Sequence, residues 1–269
     1  MGINIVQNFE KLISYIKWDM NRNITEIGSA GLSADRQQEL PHRYMLGLYE
    51  ILEKLTSAFP DVLFEGCSGG GGRFDAGMLP YFPQIWTSDT SDAIERLYIQ
   101  YGTSMVMPAI TMGAHVSASP NHQVHRITSL KTRGDVAIAG QFGYELDIEK
   151  LPQDELNEIK EQIKLYKKIR KTVHNGNMYR LESPFGNNFC SWSFVSENQD
   201  EVVFFFASIH AKLLDCRHNV RLCGLDSSSK YKRTDTGEIF GGDFLMNVGL
   251  YFDNEVDYKT DLIVFERVY

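Results

Sequence analysis

The sequence predicts an α/β fold, a partial (β/α)8 barrel of the TIM type over residues 1–176, followed by a small antiparallel β domain over 177–269. Three observations lead to it. Short β-branched or aromatic runs alternate with longer amphipathic stretches through the first two thirds of the chain, which is the pattern of βα units. Beyond the last long amphipathic stretch the texture becomes β-rich, with turn residues between runs and no comparable helix. The βα units number about five, whereas a closed barrel has eight strands in about 250 residues.

The elements follow in order. SYIKW (Ser14–Trp18) is strand-like; Pro41–Phe59 repeats apolar residues at three- and four-residue spacing and predicts a helix; VLFEGC (Val62–Cys67) is a second strand. QIWT (Gln84–Thr87) is a third strand, and a helix is expected from about Ser91 to Tyr101, capped by Thr90 or Ser91. A short strand near Met107–Thr111, a helix over about His125–Lys131 and the run DVAIAG (Asp135–Gly140) continue the series. Pro152–Val173 is the plainest helix, with acidic residues in its first turns and lysines and arginines in its last, as the helix dipole favours. Within the β domain FCSWSFVSE, EVVFFFASI and LIVFERVY read as strands, and FFFASI, apolar on both faces, predicts a central one. The strands missing from a closed barrel are expected upstream of Met1, because the helix before Tyr15 is already shortened to about VQNFEKLI.

Composition narrows the chemistry. With 43% hydrophobic and 23% charged residues the chain should fold around a core. A formal net charge of −8 argues against nucleic acid or an anionic membrane as partner and favours a neutral substrate. The first residues carry Glu10, Lys11, Lys17 and Asp19 among the apolar ones, without a secretory core, and no apolar run reaches the ~20 residues of a membrane helix, so a cytoplasmic location is expected. The four cysteines, Cys67, Cys190, Cys216 and Cys223, lack the spacing of a disulfide framework or a zinc site and read as reduced thiols, the last three as ordinary buried ones. His115, His122 and His125 are expected in loops or at a helix cap, and His210 and His218 in the β domain as structural residues. No metal site and no cofactor is expected.

Barrel enzymes place their reacting groups at the C-terminal ends of strands. After SYIKW comes Asp19. After VLFEG come Cys67, Ser68 and four glycines, and after QIWT come Ser88, Asp89 and Asp92. Two carboxylates on such strand ends suit glycoside cleavage, one attacking the anomeric carbon or activating water and the other protonating the leaving oxygen. Spacing leaves retention and inversion both open, and an aspartate after a strand is also a common helix cap or turn residue. Lys17, two residues before Asp19, falls on the same strand face, either as a cation that keeps the carboxylate ionised or as a donor to sugar hydroxyls. The run CSGGGGRFD lacks the GK[ST] ending of a phosphate loop, and Arg73 is a weak substitute. Its glycines suit close approach of backbone to a ligand, or simply a flexible loop.

The segments YIKWDMNR (Tyr15–Arg22), FEGCSGGGGRFDAGML (Phe64–Leu79) and PQIWTSDTSDAIERLYIQYGTS (Pro83–Ser104) resemble the signature blocks of glycoside hydrolase family 36, the bacterial-type α-galactosidases. GAHVSASPNHQ (Gly113–Gln123) and FGYELDI (Phe142–Ile148) extend the resemblance over nearly the whole chain. The resemblance implies a retaining hydrolase of terminal α-galactosides of the melibiose and raffinose type, without metal or organic cofactor. It implies Asp19 as nucleophile and Asp89 as acid/base, with Asp92 as runner-up for the second role and better suited to stabilising the following helix. It gives sugar contacts to Lys17, Asn21, Cys67 and the loop near Gly70, with Trp86 at the wall of the site. Members of this family are much longer, and the present sequence corresponds to roughly strands 4 to 8 and the C-terminal domain. The chain alone is therefore expected to lack part of its site. That leaves room for a non-catalytic remnant, for a split enzyme assembling with an N-terminal half, or for a homo-oligomer. α-N-acetylgalactosaminidase and galactosyl-transfer activities stay open within the same chemistry.

Overall fold

The computed structural model describes residues 13–20, 25, 27–212, 217–253 and 255–268. Contacts divide the chain into two compact units, one ending at Asp89 and one beginning at Thr90.

The first unit contains β1 (Tyr15–Asp19), α1 (Leu40–Ala58), β2 (Leu63–Cys67) and β3 (Gln84–Trp86). A 3-10 segment, Ala34–Glu39, leads into α1 and was not anticipated; Pro41 sits in the first turn of the helix, where its missing N–H is tolerated. The strands are parallel, with Lys17 opposite Glu65, Asp19 opposite Cys67, and Glu65 opposite Gln84. Alternation then sorts the side chains. Ile16, Trp18, Phe64 and Ile85 join Leu48, Leu52 and Leu55 of α1 in one core with Met78 and Phe82. Gly66 lies on this core face, where a Cβ would stand 2.8 Å from the Phe82 ring. The opposite face carries Tyr15, Lys17, Asp19, Glu65, Cys67, Gln84 and Trp86.

The second unit begins with α2 (Ala93–Thr103), β4 (Met112–Ser117), α3 (Leu130–Ala137), β5 (Gln141–Glu145) and α4 (Gln153–Asn175), with β4 and β5 parallel. Three expectations shift. The strand expected at Met107–Thr111 gives way to a 3-10 turn, Ala109–Thr111, started by Pro108, and the strand forms next, as β4. The helix expected over His125–Lys131 forms as α3, because Ser129 supplies the cap: its hydroxyl accepts from the Thr132 N–H at 3.0 Å. Asp135–Gly140 is the last turn of α3 and its exit, and the following strand is β5.

Beyond α4 come β6 (Asn177–Glu182), β7 (Phe189–Val195), β8 (Glu201–Ser208), β9 (Arg217–Val220), β10 (Lys230–Arg233), β11 (Ile239–Gly241), a short helix α5 (Gly242–Asn247), β12 (Leu250–Asp253) and β13 (Thr260–Val268). Six of these strands form an antiparallel sheet in the order β11-β10-β13-β8-β7-β6, and β12 pairs with β9. As expected β8 is central, and its phenylalanines serve two faces. Phe204 and Phe206 join Phe252, Leu222 and Phe265 in one core, while Phe205 stacks on Trp192 at 4.3 Å on the other face. Thr132 and Lys131 of α3 bond the carbonyls of Tyr258 and Thr260 beside β13. Among the described residues no helix is long and apolar enough to cross a membrane.

Candidate active site

Asp19 closes β1 and Cys67 closes β2, one directly opposite the other. Asp89 stands three residues past the end of β3 and is exposed, as is Asp19. Cys67, 5% exposed, ties the two together. Its Sγ lies 3.9 Å from Asp89 Oδ1, and its thiol is also in hydrogen-bonding contact with the Asp19 side chain. Burial, the largest cause, pushes the Cys67 thiol up to about 11; the Gly70 backbone N–H works against it, and the Asp19 carboxylate adds to the rise. The thiol stays a neutral donor within reach of both acids.

The glycine run shapes the rim. Ser68 N–H donates to the Gly70 carbonyl at 2.9 Å and Gly72 N–H to the Ser68 carbonyl at 3.2 Å, so the loop folds back on itself. The Ser68 hydroxyl reaches across to the Met20 carbonyl at 2.9 Å, anchoring the loop to the exit of β1. Gly70 has φ +78°, and a Cβ there would lie 2.7 Å from both the Asp89 nitrogen and the Ser88 Cα. Only glycine lets this loop rest against the backbone that presents Asp89.

Below the carboxylates Lys17 extends over the Trp86 ring, 4.6 Å from its centroid, and stands 3.8 Å from Glu65 Oε1. Trp86 is 3% exposed and forms a wall beneath the ammonium rather than an open platform. Glu65 was not singled out from the sequence, where it looks like an interruption of the strand run VLFEGC. The available signal was parity: it shares its face with Cys67 and pairs with Lys17.

Residues 3–176 match the family model Melibiase. The chain belongs to the melibiase family. Residues 189–265 of this melibiase-family chain match the glycosyl hydrolase family 36 C-terminal domain. It is 54% identical over 238 residues to alpha-galactosidase AgaA of Geobacillus stearothermophilus, covering 88% of this chain and 32% of that protein. It is 48% identical to alpha-galactosidase Mel36A of Lactobacillus acidophilus, covering 96% and 35%. The chain thus spans about a third of the length of these relatives. The crystal structure of an AgaA variant in complex with 1-deoxygalactonojirimycin superposes with a TM-score of 0.93 at 48% identity, covering 99% of this chain and 38% of that one. The fold class expected from the sequence, a partial barrel followed by an antiparallel β domain, is the fold of this melibiase-family chain. Two further AgaA variants were solved with raffinose and with stachyose; each replaces one aspartate, and the two replaced aspartates lie 70 residues apart.

Of the expected site residues, Lys17, Asp19, Cys67, Trp86 and Asp89 share the first unit with the Gly70 loop, while Asn21 lies outside the described residues. Asp92 is a different kind of aspartate. It is 1% exposed, accepts from the Ile94 and Glu95 N–H groups at 3.2 and 3.0 Å, and is ion-paired with Arg126. It is the cap of α2, a position expected of Thr90 or Ser91, and has no access to a sugar. His115 is a β4 residue rather than a loop residue, whereas His122 and His125 are in the loop. Cys190 is buried as expected, Cys223 is exposed rather than buried, beside Leu222, which takes the core position in the irregular stretch after β9, and Cys216 falls outside the described residues.

Proposed function

We propose that this chain carries the reacting half of a retaining α-galactosidase, with Asp19 as nucleophile and Asp89 as acid/base. The observation that carries it is the contact of one buried thiol with both carboxylates, which puts two exposed acids from different strand ends around the space of one small ligand. The spacing of the two aspartates replaced in the sugar-bound AgaA variants equals that of Asp89 from Asp19 (89 − 19) and supports the same pair. In the first step Asp19 attacks the anomeric carbon while the Asp89 proton passes to the departing oxygen. In the second, Asp89 takes a proton from the water that opens the glycosyl-aspartate. Lys17, Cys67 and the loop at Gly70 face the same space as donors to galactose hydroxyls, and Trp86 fixes the height of Lys17 from below. Raffinose and stachyose, found with relatives, are the substrate class proposed here.

The polypeptide partner proposed is an N-terminal half resembling the part of the relatives that this chain does not span. The test is turnover of p-nitrophenyl α-galactoside and raffinose by the chain mixed with the corresponding upstream segment of AgaA, following the anomer first formed by NMR. Release of α-galactose is expected. Release of β-galactose would exclude the double displacement, and hydrolysis untouched by Asp19→Ala would exclude the pair.

A further inference from the structure

Below the carboxylates lies a group that the chemistry above does not use. Glu65 is fully buried, at 0% exposure. Its Oε2 accepts from the Tyr15 hydroxyl of β1 and from the Gln84 amide of β3, and its Oε1 faces Lys17 Nζ at 3.8 Å. A buried carboxylate is costly unless it is paired and hydrogen-bonded, and filling the layer would be served as well by an apolar residue. What the carboxylate provides is a fixed place for a flexible cation. A lysine ammonium on its four-carbon stem otherwise samples many rotamers, and side-chain exposure of 32% leaves Lys17 room to do so. Glu65 draws Nζ inward from one side while the Trp86 face holds it from another, 4.6 Å away. The two hydrogen bonds from the flanking strands in turn hold the Glu65 carboxylate in one orientation.

We propose that Glu65 is the positioning residue of Lys17, setting the place of its ammonium beneath the sugar through a carboxylate clamped by Tyr15 and Gln84. The catalytic consequence rests on the function proposed above; the placement does not.

Placement is read on the chain itself by competitive trace acetylation with acetic anhydride, quantified lysine by lysine by mass spectrometry. Glu65→Gln should raise labelling of Lys17 at least about threefold relative to the surface lysines of α4, Lys160 and Lys164, because the amine loses the carboxylate that engages it. Glu65→Gln with Gln84→Glu returns a carboxylate to the facing position of the β2–β3 pair and should bring labelling back toward the parent chain. Should the single variant unfold, all its lysines would label faster together, and the exchanged pair then decides alone. Unchanged Lys17 labelling in a folded Glu65→Gln chain overturns the proposal, as does an exchanged pair that folds and still labels fast. In the complemented enzyme, Glu65→Gln should raise KM or lower kcat in the parent but add little in a Lys17→Met background. Additive losses would overturn action through Lys17. An assembly without turnover would count against the proposed function, while the labelling result would still decide this inference.

Discussion

Asp19 and Asp89 are both exposed acids, so the different roles proposed for them are separated by what each loses on truncation. Asp19→Ala in the complemented enzyme should lower turnover by on the order of 10³-fold or more, and added azide should attack the intact α-galactoside from the vacated side to give β-galactosyl azide. Asp89→Ala should leave formation of the glycosyl-enzyme fast for a good leaving group, slow its hydrolysis by roughly 10²–10⁴-fold, and give α-galactosyl azide instead. Chromatography of the azide products checks both, and exchanged stereochemistry would exchange the assignments. Gly70 belongs with them. Its φ of +78° and the nearness of the Asp89 nitrogen mean that Gly70→Ala must displace either the loop or Asp89. A fall in kcat of about 10²-fold is expected, larger than any change in KM for a substrate with a good leaving group. Asp19, Cys67 and Asp89 could be singled out in the sequence because a strand end can be found from its β-branched run and its following polar residue, and Lys17 from sharing a strand face with Asp19, whereas Trp86 was pointed to only by the family resemblance. Glu65 was not, because a charged residue inside a strand looks like an error until its partners are known.

The elements tell a similar story in their caps and their pH dependence. α2 starts at Asp92 because its carboxylate takes two otherwise unpaired N–H groups and also engages Arg126. Asp92→Ala should cost about 2–3 kcal/mol, seen as a fall of about 5–10 °C in Tm, while Asp92→Asn, which keeps the cap and loses the charge, should cost less. At the end of α4, burial holds the His174 imidazole below its ordinary value, and its Nε2 meets the Tyr166 hydroxyl at 2.7 Å. The folded state therefore disfavours the charged form. Its contribution is whole above the ordinary histidine pKa of about 6.5 and is lost as the pH falls through that range toward the depressed folded value. His174→Gln should flatten the dependence of Tm on pH between about 7 and 5; an unchanged slope would remove His174 as its source. The misplaced elements have local causes. Met112–Ser117 has glycine, alanine and histidine at its centre, all weak strand formers, whereas Met107–Thr111 looks more like a strand until Pro108 is given its turn. DVAIAG is a short apolar run, and such a run does not distinguish a buried helix end from a strand. α4 and β8 were plain because one has a sustained helical period and the other is apolar throughout.

At the scale of the whole molecule, the strand of the proposed nucleophile decides what the chain can do alone. Among the described residues β1 is an end strand, bonded to β2 on one side, and it carries Lys17 and Asp19. A galactose bound as proposed on that face would meet β2 and the Gly70 loop on one flank, while about two thirds of the relatives' length lies outside the part this chain spans. Positioning a sugar for attack needs contacts from several strands, and a strand edge left open is a template for another strand. The chain alone should therefore turn over p-nitrophenyl α-galactoside at roughly a hundredth or less of the complemented rate. Adding the upstream segment of AgaA should raise the rate to a plateau near one segment per chain, with the mass by light scattering rising in step. A chain that reaches the plateau rate unaided as a monomer would show that β1 and its neighbours suffice. One that reaches it only as self-assembled oligomers would assign the open edge to a second copy of itself rather than to an N-terminal half.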